Sequence, residues 1–279
     1  MSVADRLVEL IRDTSSSLPD DVAAALAAAR RREKSGSSAA VVLKTILDNV
    51  ALARKRGVPL CQDTGTLAFF VDSRLRRTVT PAALKKAVAK ATELGYLRRN
   101  TIDAVTGVSY DDNVAEGAPV VHYVDVSEGP RTVTLIMKGG GSENMSRQYS
   151  LPDSSLGAGR DLAGVRRCVL DAVQKIQGYG CAPGILGVCI GGDRATGYAV
   201  AKEQLLRRLD EKPSGDKSLR RLEKQLLEDA NSLGIGPMGL GGRTTLLAVK
   251  VAARTRVPAS FFVTIAYMCW ACRRRTIEI

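Results

Sequence analysis

"VPLCQDTGTLAFF", Val58 to Phe70, places a cysteine, an amide, a carboxylate, a hydroxyl and a glycine at five consecutive positions, Cys61 to Gly65, directly before an apolar run. "LAFFVD" reads as a strand, apolar and aromatic residues bounded by an acid. What precedes the stretch is helical. Ser2 can cap a short helix, "PDDVAAALAAARRRE" is Ala-rich with acids at its start, and "SSAAVVLKTILDNVALARKRG" has helical spacing and ends on basic residues and Gly57. A helical lead-in over residues 1–57 therefore hands over to a sheet here, with chemically capable groups at the strand entrance.

The same alternation continues downstream. "TPAALKKAVAKATELG" reads as a capped helix with Pro81 in its first turn, "TVTLIMK" as a strand running into "GGGSEN", and "LAGVRRCVLDAVQKIQGYG" as an amphipathic helix stopped by glycine. "ILGVCIGG" is a short buried strand, "YAVAKEQLLRRLD" and "LRRLEKQLLEDANSLG" are helical on either side of a loop at "EKPSGDKS", and "TTLLAVKVAAR" and "SFFVTIAYM" are strands. There is no internal repeat and no long linker. Periodicity leaves α+β and α/β open. The expectation taken forward is α+β, a single domain over residues 1–279 with a mixed or antiparallel sheet surrounded by helices.

The chain has 279 residues, 45% of them apolar, enough for a sizeable core, and no apolar run approaches the roughly 18 residues of a membrane span. Its start, "MSVADRLVELIRD", lacks the features of a secretory signal, so a cytoplasmic location is expected. Forty-one Lys and Arg against twenty-nine Asp and Glu give +12, which suits nucleic acid, an acidic protein partner or anionic substrates. Aromatic residues are only 4%, a poor supply of stacking platforms for single strands, and nucleic acid is set aside. The runs "RRR" at 30–32 and 273–275 read as solvated faces.

Six cysteines are too few for a disulfide scaffold in a chain of this size. Cys61, Cys181 and Cys269 lie at element borders beside glycine or proline, where backbone can approach a bulky ligand. Cys168 and Cys189 sit inside apolar patterns and read as small buried hydrophobes. Cys269 and Cys272 have CxxC spacing, but one pair does not complete a tetrahedral site. "GGGSEN" lacks the Lys-Ser/Thr ending of a P-loop and the spacing of a dinucleotide fold, so no nucleotide site is expected. Gln-Asp-Thr-Gly by itself could be a tight turn whose Asp caps its own backbone.

The words around the cysteines go further. "CQDTG", "KGGGSEN", "GCAPGILGVCIGG", "LGIGPMGLGGRTTLLAVKV" and "PASFFVTIAYMCWACRR", in that order over almost the whole chain, closely resemble the α subunit, or N-terminal domain, of the iron-sulfur hydro-lyases that comprise class I fumarases and L-tartrate dehydratases. The resemblance implies that Cys61, Cys181 and Cys269 hold a 4Fe-4S cluster with one iron free of protein ligands. Such an iron is a Lewis acid suited to making a hydroxyl leave. It also implies that Asp63 handles a proton at that hydroxyl, that Gln62 supplies amide hydrogen bonds, and that bare backbone at Gly140 or Gly141 meets a dicarboxylate. Arg98 falls where the family has a carboxylate-binding arginine, with Arg99 one position away.

Two departures stand out. The only histidine is His122, in the strand-like "PVVHYVDV", and it reads as structural; the family's usual histidine before the proline of the last motif is Val257 here. The resemblance also implies a second module, a β subunit or C-terminal domain, carrying a threonine that serves as base. The chain stops shortly after Cys269, so an α2β2 assembly is expected. The resulting expectation is the α subunit of a hydro-lyase acting on fumarate/malate or L-tartrate/oxaloacetate, "CWACRRR" leaning toward the tartrate branch. The alternatives are a non-catalytic iron-sulfur redox sensor or degenerate subunit, and a basic nucleic-acid module.

Overall fold

Most of the helices and the central strands fall where capping residues and apolar periodicity put them. A computed structural model describes residues 1–211 and 216–279. The loop expected at 211–218 lies partly outside them. The contacts within the chain divide it into two compact units, residues 1–19, 48–140 and 271–279 in the first and 20–47 and 141–270 in the second. No helix among the described residues is long and apolar enough to cross a membrane.

The first unit opens with α1 (Val3–Ser16), whose N-terminus is closed by a reciprocal Ser2–Asp5 capping box. Its sheet runs β10-β5-β1-β4, built from β1 (Thr66–Asp72), β4 (Val120–Val124), β5 (Thr132–Lys138) and β10 (Arg273–Glu278). β1 pairs parallel with β4 and antiparallel with β5, and β5 pairs antiparallel with β10, so the sheet is mixed. α4 (Pro81–Glu93) begins at a Thr80 cap with proline in its first turn, as the sequence predicts. Leu7, Leu10 and Ile11 of α1 and Leu84 and Val88 of α4 close over Phe69, Val71 and Leu135 of the sheet. A small hairpin of β2 (Thr101–Ile102) and β3 (Ser109–Tyr110) stands apart from it.

The second unit contains α2 (Asp20–Arg32) and the first half of α3 (Ser38–Arg56). Its sheet runs β6-β9-β7-β8: β6 (Arg147–Ser150), β7 (Gly184–Ile190), β8 (Leu246–Ala253) and β9 (Phe262–Met268), with β7 and β8 parallel and the other pairs antiparallel. Every residue of β7 is buried. Leu186, Val188 and Ile190 join a core with α6 (Leu162–Ile176) and α8 (Lys217–Ser232). Gly187 on the other face lies against α7 (Arg194–Gln204), where a methyl group would come within 2.0 Å of the Ala201 carbonyl oxygen.

The α+β class thus holds, with one mixed sheet in each unit. "GGGSEN", to which the sequence assigns no element, enters a short helix, α5 (Gly140–Asn144). The arginine run 273–275 is not a solvated face: it begins β10, and Arg273 and Arg274 are 2% and 8% exposed. The run at 30–32 is exposed as expected.

Candidate functional site

In the first unit the Cys61–Gly65 loop joins α3 to β1. The Ser15 carbonyl accepts from Leu60 N at 2.9 Å, and the Leu60 carbonyl accepts from Asn49 Nδ2 at 3.1 Å, which anchors the entry. Gly65 has φ +73°, and a methyl group there would lie 2.3 Å from the Lys138 carbonyl oxygen, so only glycine lets the loop pass the end of β5. Buried Arg273 donates from Nη2 to the Asp63 carbonyl at 2.9 Å, while its Nε has no partner.

Two buried side chains then fix the segment 98–101 relative to this loop. Thr64 Oγ1 accepts from Arg98 N at 3.0 Å and donates to the Arg98 carbonyl at 3.3 Å. Asn113, at φ 61°, accepts from Asn100 N and Thr101 N at 2.7 and 3.1 Å and donates to the Arg98 carbonyl at 2.8 Å and to Thr92 Oγ1 at 3.0 Å. The result is local and specific. Asn100 Nδ2 donates to Asp63 Oδ1 at 2.9 Å, and Oδ2 lies over bare Gly139, where a methyl group would approach it to 2.8 Å. Asp63 therefore does not cap its own backbone, and one of its oxygens is held while the other stays available.

Gln62, Asp63, Arg98, Arg99 and Asn100 line a cavity of about 620 Å³. A neighbouring cavity of about 300 Å³ shares Asp63 and Asn100 and reaches Gly140. Arg99 is engaged with Asp111 at 2.9 Å, whereas the Arg98 guanidinium makes no ion pair among the described residues. His122, on the edge strand β4, stacks on Phe70 with ring centroids 4.8 Å apart.

In the second unit Cys181 sits between α6 and β7 at φ 54°. Its carbonyl accepts from Trp270 N at 3.3 Å, which ties it to the residue after Cys269, and Cys269 N donates to Ser142 Oγ at 3.1 Å. Tyr267, near the end of β9 and 1% exposed, fills the space beside them. Methyl groups on Gly180 and Gly184 would each fall 2.3 Å from opposite edges of its ring, so the backbone on both sides of Cys181 must be bare. The Tyr267 hydroxyl is buried without a hydrogen-bond partner among the described residues. Burial pushes its ionisation well above the usual phenol range, and the nearby charges of Cys269 and Cys181 as thiolates push it further. Gly141 belongs to this unit, with nothing within 4 Å of an added methyl group. Val257 lies in the loop between β8 and β9 and is 64% exposed.

The six cysteines form no disulfide and fall into two groups. Cys168, Cys189 and Cys272 are fully buried. Burial pushes the Cys168 thiol up to about 11 and raises that of Cys189 as well, which makes both inert. Cys61, Cys181 and Cys269 all keep solvent access. Cys61, Gln62, Asp63, Arg98 and Gly140 belong to the first unit and Gly141, Cys181 and Cys269 to the second. No group of three or more His, Cys, Asp or Glu among the described residues is gathered as a ready metal site. In donor chemistry the residues fit an iron-sulfur group: three accessible thiols, and beside two of them a buried hydroxyl lacking a partner.

Sequence reading passes over Asn100, Asn113, Arg273 and Tyr267. Asn100 directly follows Arg98 and Arg99, a signal that was within reach. Asn113 and Arg273 act on backbone atoms far away in sequence, which no local pattern records.

The chain matches the family model described as Fumarate hydratase (Fumerase) over residues 4–278. It is 47% identical over 278 residues to a Geobacillus stearothermophilus protein provisionally named a class I fumarate hydratase, covering 98% of this chain but 54% of that protein. It is 36% identical to a Methanocaldococcus jannaschii protein provisionally named an L(+)-tartrate dehydratase subunit alpha, covering 98% of this chain and 96% of the relative. The L(+)-tartrate dehydratase subunit alpha of Escherichia coli K12 is 29% identical, over 86% of this chain and 78% of its own length. The chain thus spans about half of the first relative and nearly all of the second.

Proposed function

Because the chain belongs to the fumarate hydratase (fumerase) family, we propose that it is the α subunit of a 4Fe-4S hydro-lyase that reversibly dehydrates a small hydroxy-dicarboxylate, fumarate/malate or L-tartrate/oxaloacetate. The observation that carries this reading is the state of Asp63: Oδ1 is held by Asn100, and Oδ2 is left available at a cavity that also holds Gln62 and the unpaired Arg98. A carboxylate fixed by one oxygen can exchange a proton through the other without losing its place.

Held by Cys61, Cys181 and Cys269, the cluster would supply a Lewis-acidic iron that weakens the bond between carbon and the departing hydroxyl. The rest falls to the side chains and backbone. Arg98 offers a two-pronged guanidinium to one substrate carboxylate, and the amides of Gly140 or Gly141 offer backbone donors to a carboxylate. The Gln62 amide orients the hydroxyl-bearing end. Asp63 Oδ2 gives a proton to the departing hydroxyl and, in hydration, takes it back. The proton on the adjacent carbon is left to a base from a second module, a β subunit in an α2β2 enzyme. The relatives named as alpha subunits and the Geobacillus relative of nearly twice this length both support that module. Residues 1–279 would then work as one catalytic domain, in the cytoplasm.

Val257, in place of the family's histidine, favours one second reading: a redox sensor or a degenerate subunit that binds the cluster without turnover. Anaerobic reconstitution with iron and sulfide, in complex with the β subunit, followed by assay on fumarate, malate, tartrate and mesaconate, separates the two. Turnover of one dicarboxylate supports the hydro-lyase. A full cluster with no turnover on any supports the sensor, and no iron uptake refutes both.

A further inference from the structure

A phenol hydroxyl shut away from water and from every protein acceptor destabilises a fold, and proteins seldom keep one without use. Tyr267 is such a group, and its surroundings are built around it. Gly180 and Gly184 press on both edges of the ring, the latter also close to Oη, since a methyl group there would lie 2.4 Å from the hydroxyl oxygen. The residue between those glycines that carries a thiol is Cys181, and the one just beyond the ring along β9 is Cys269. The Trp270–Cys181 hydrogen bond closes this arrangement. The contrast within the unit is Tyr149 on β6, also partly buried, whose hydroxyl donates to Asp171 Oδ2 at 2.7 Å.

We propose that Tyr267 donates its hydroxyl hydrogen to a sulfur of the iron-sulfur group at Cys181 and Cys269, and so sets how firmly that group is held and how easily it is reduced. This rests on the cluster reading given above. Hydrogen bonds to cluster sulfurs stabilise the more negative, reduced state and raise the reduction potential. They also secure the ligands, as outer contacts do at metal sites generally.

The test compares wild type, Tyr267→Phe and Tyr149→Phe in the full chain, before and after anaerobic reconstitution with iron and sulfide. Without iron, Tyr267→Phe should melt at the same temperature as wild type or higher, because the ring remains and an unsatisfied hydroxyl is gone. Tyr149→Phe should melt lower. With iron, all three should load equally. Tyr267→Phe alone should then show a lower reduction potential, an altered visible and electron paramagnetic resonance spectrum, and about tenfold faster iron loss to a chelator. Wild type and Tyr267→Phe that load alike and share potential and release rate would overturn the inference and leave the cluster reading intact. So would an iron-free Tyr267→Phe less stable than wild type, since the hydroxyl would then already have a partner. A wild type that takes up no iron would overturn the cluster reading and this inference together.

Discussion

The loop around Asp63 and the loop around Cys181 are proposed to serve the same departing hydroxyl, yet the carboxylate at the centre of one and the phenol at the centre of the other are treated in opposite ways. Around Asp63, Thr64, Asn113 and Asn100 are bonded to one another's segments, so the carboxylate is oriented before any ligand arrives. Around Cys181 the central hydroxyl has no partner, and the walls are glycine. A satisfied network is a preformed tool, whereas an unsatisfied one is a receptor completed by what it binds. The first should tolerate loss of the cofactor; the second should register it.

The largest effect should come from the thiols. Cys61→Ser, Cys181→Ser or Cys269→Ser should nearly abolish iron and sulfide uptake, whereas Cys168→Ser or Cys189→Ser should load fully but melt lower, because each buries a new hydroxyl in a core. Equal loading of all five variants would erase the division between accessible and buried cysteines. Next, Asp63→Asn keeps the shape and the bond to Asn100 on one oxygen. Cluster content should be unchanged while kcat falls by on the order of 10², the size expected for a lost acid-base group. Full activity would reduce the loop to a ligand holder.

Asn113→Ala should cost about 1–3 kcal/mol in chemical denaturation, since it strands buried donors and an acceptor around residues 98–101. It should also lower kcat without altering iron content, because Asn100 loses its support. Asn113→Asp, which turns a buried carboxylate oxygen toward the Arg98 carbonyl, should cost at least as much. The smallest effect concerns acid. Arg166 hydrogen-bonds to Asp229 and holds its carboxyl below the ordinary range. A carboxyl whose pKa is lower folded than unfolded stabilises the fold above the unfolded value of about 3.9 and loses that contribution as pH falls through the folded value. The stability gap between wild type and Asp229→Asn should therefore be widest at neutral pH and close below about pH 4. A gap that is constant with pH would mean that the pair contributes nothing through charge.

Sequence periodicity found elements whose burial follows a simple pattern: β5 at Thr132–Lys138, α4 behind its Thr80 cap, and α6 with its apolar stripe. It missed β10, because a strand that starts with three arginines carries a surface composition while its first two sit buried beside β5. It also gave "GGGSEN" no element, since three glycines argue against the short helix α5 that begins at Gly140. For the site, Cys61, Asp63 and Arg98 came from the family resemblance, and the fold places Asp63 and Arg98 on one cavity. The choice between Arg98 and Arg99 was not legible in the sequence, and the ion pair of Arg99 with Asp111 now favours Arg98. Tyr267 was invisible for a deeper reason: sequence can show that a hydroxyl exists, but only packing shows that it is alone.

Arg273 has one more implication, for the order of events during synthesis. The ribosome makes β1 and the Asp63 loop early, but the strand that pairs with the β5 edge and supplies the arginine for the Asp63 carbonyl emerges only after the whole 141–270 segment. Contacts so distant in sequence close slowly, because the loop entropy must be overcome before they contribute. The nascent chain therefore carries Asp63 on an unfinished scaffold while both cysteine-bearing borders of the second unit are being translated. The Asp63 loop is thus tied down by an arginine made more than two hundred residues later.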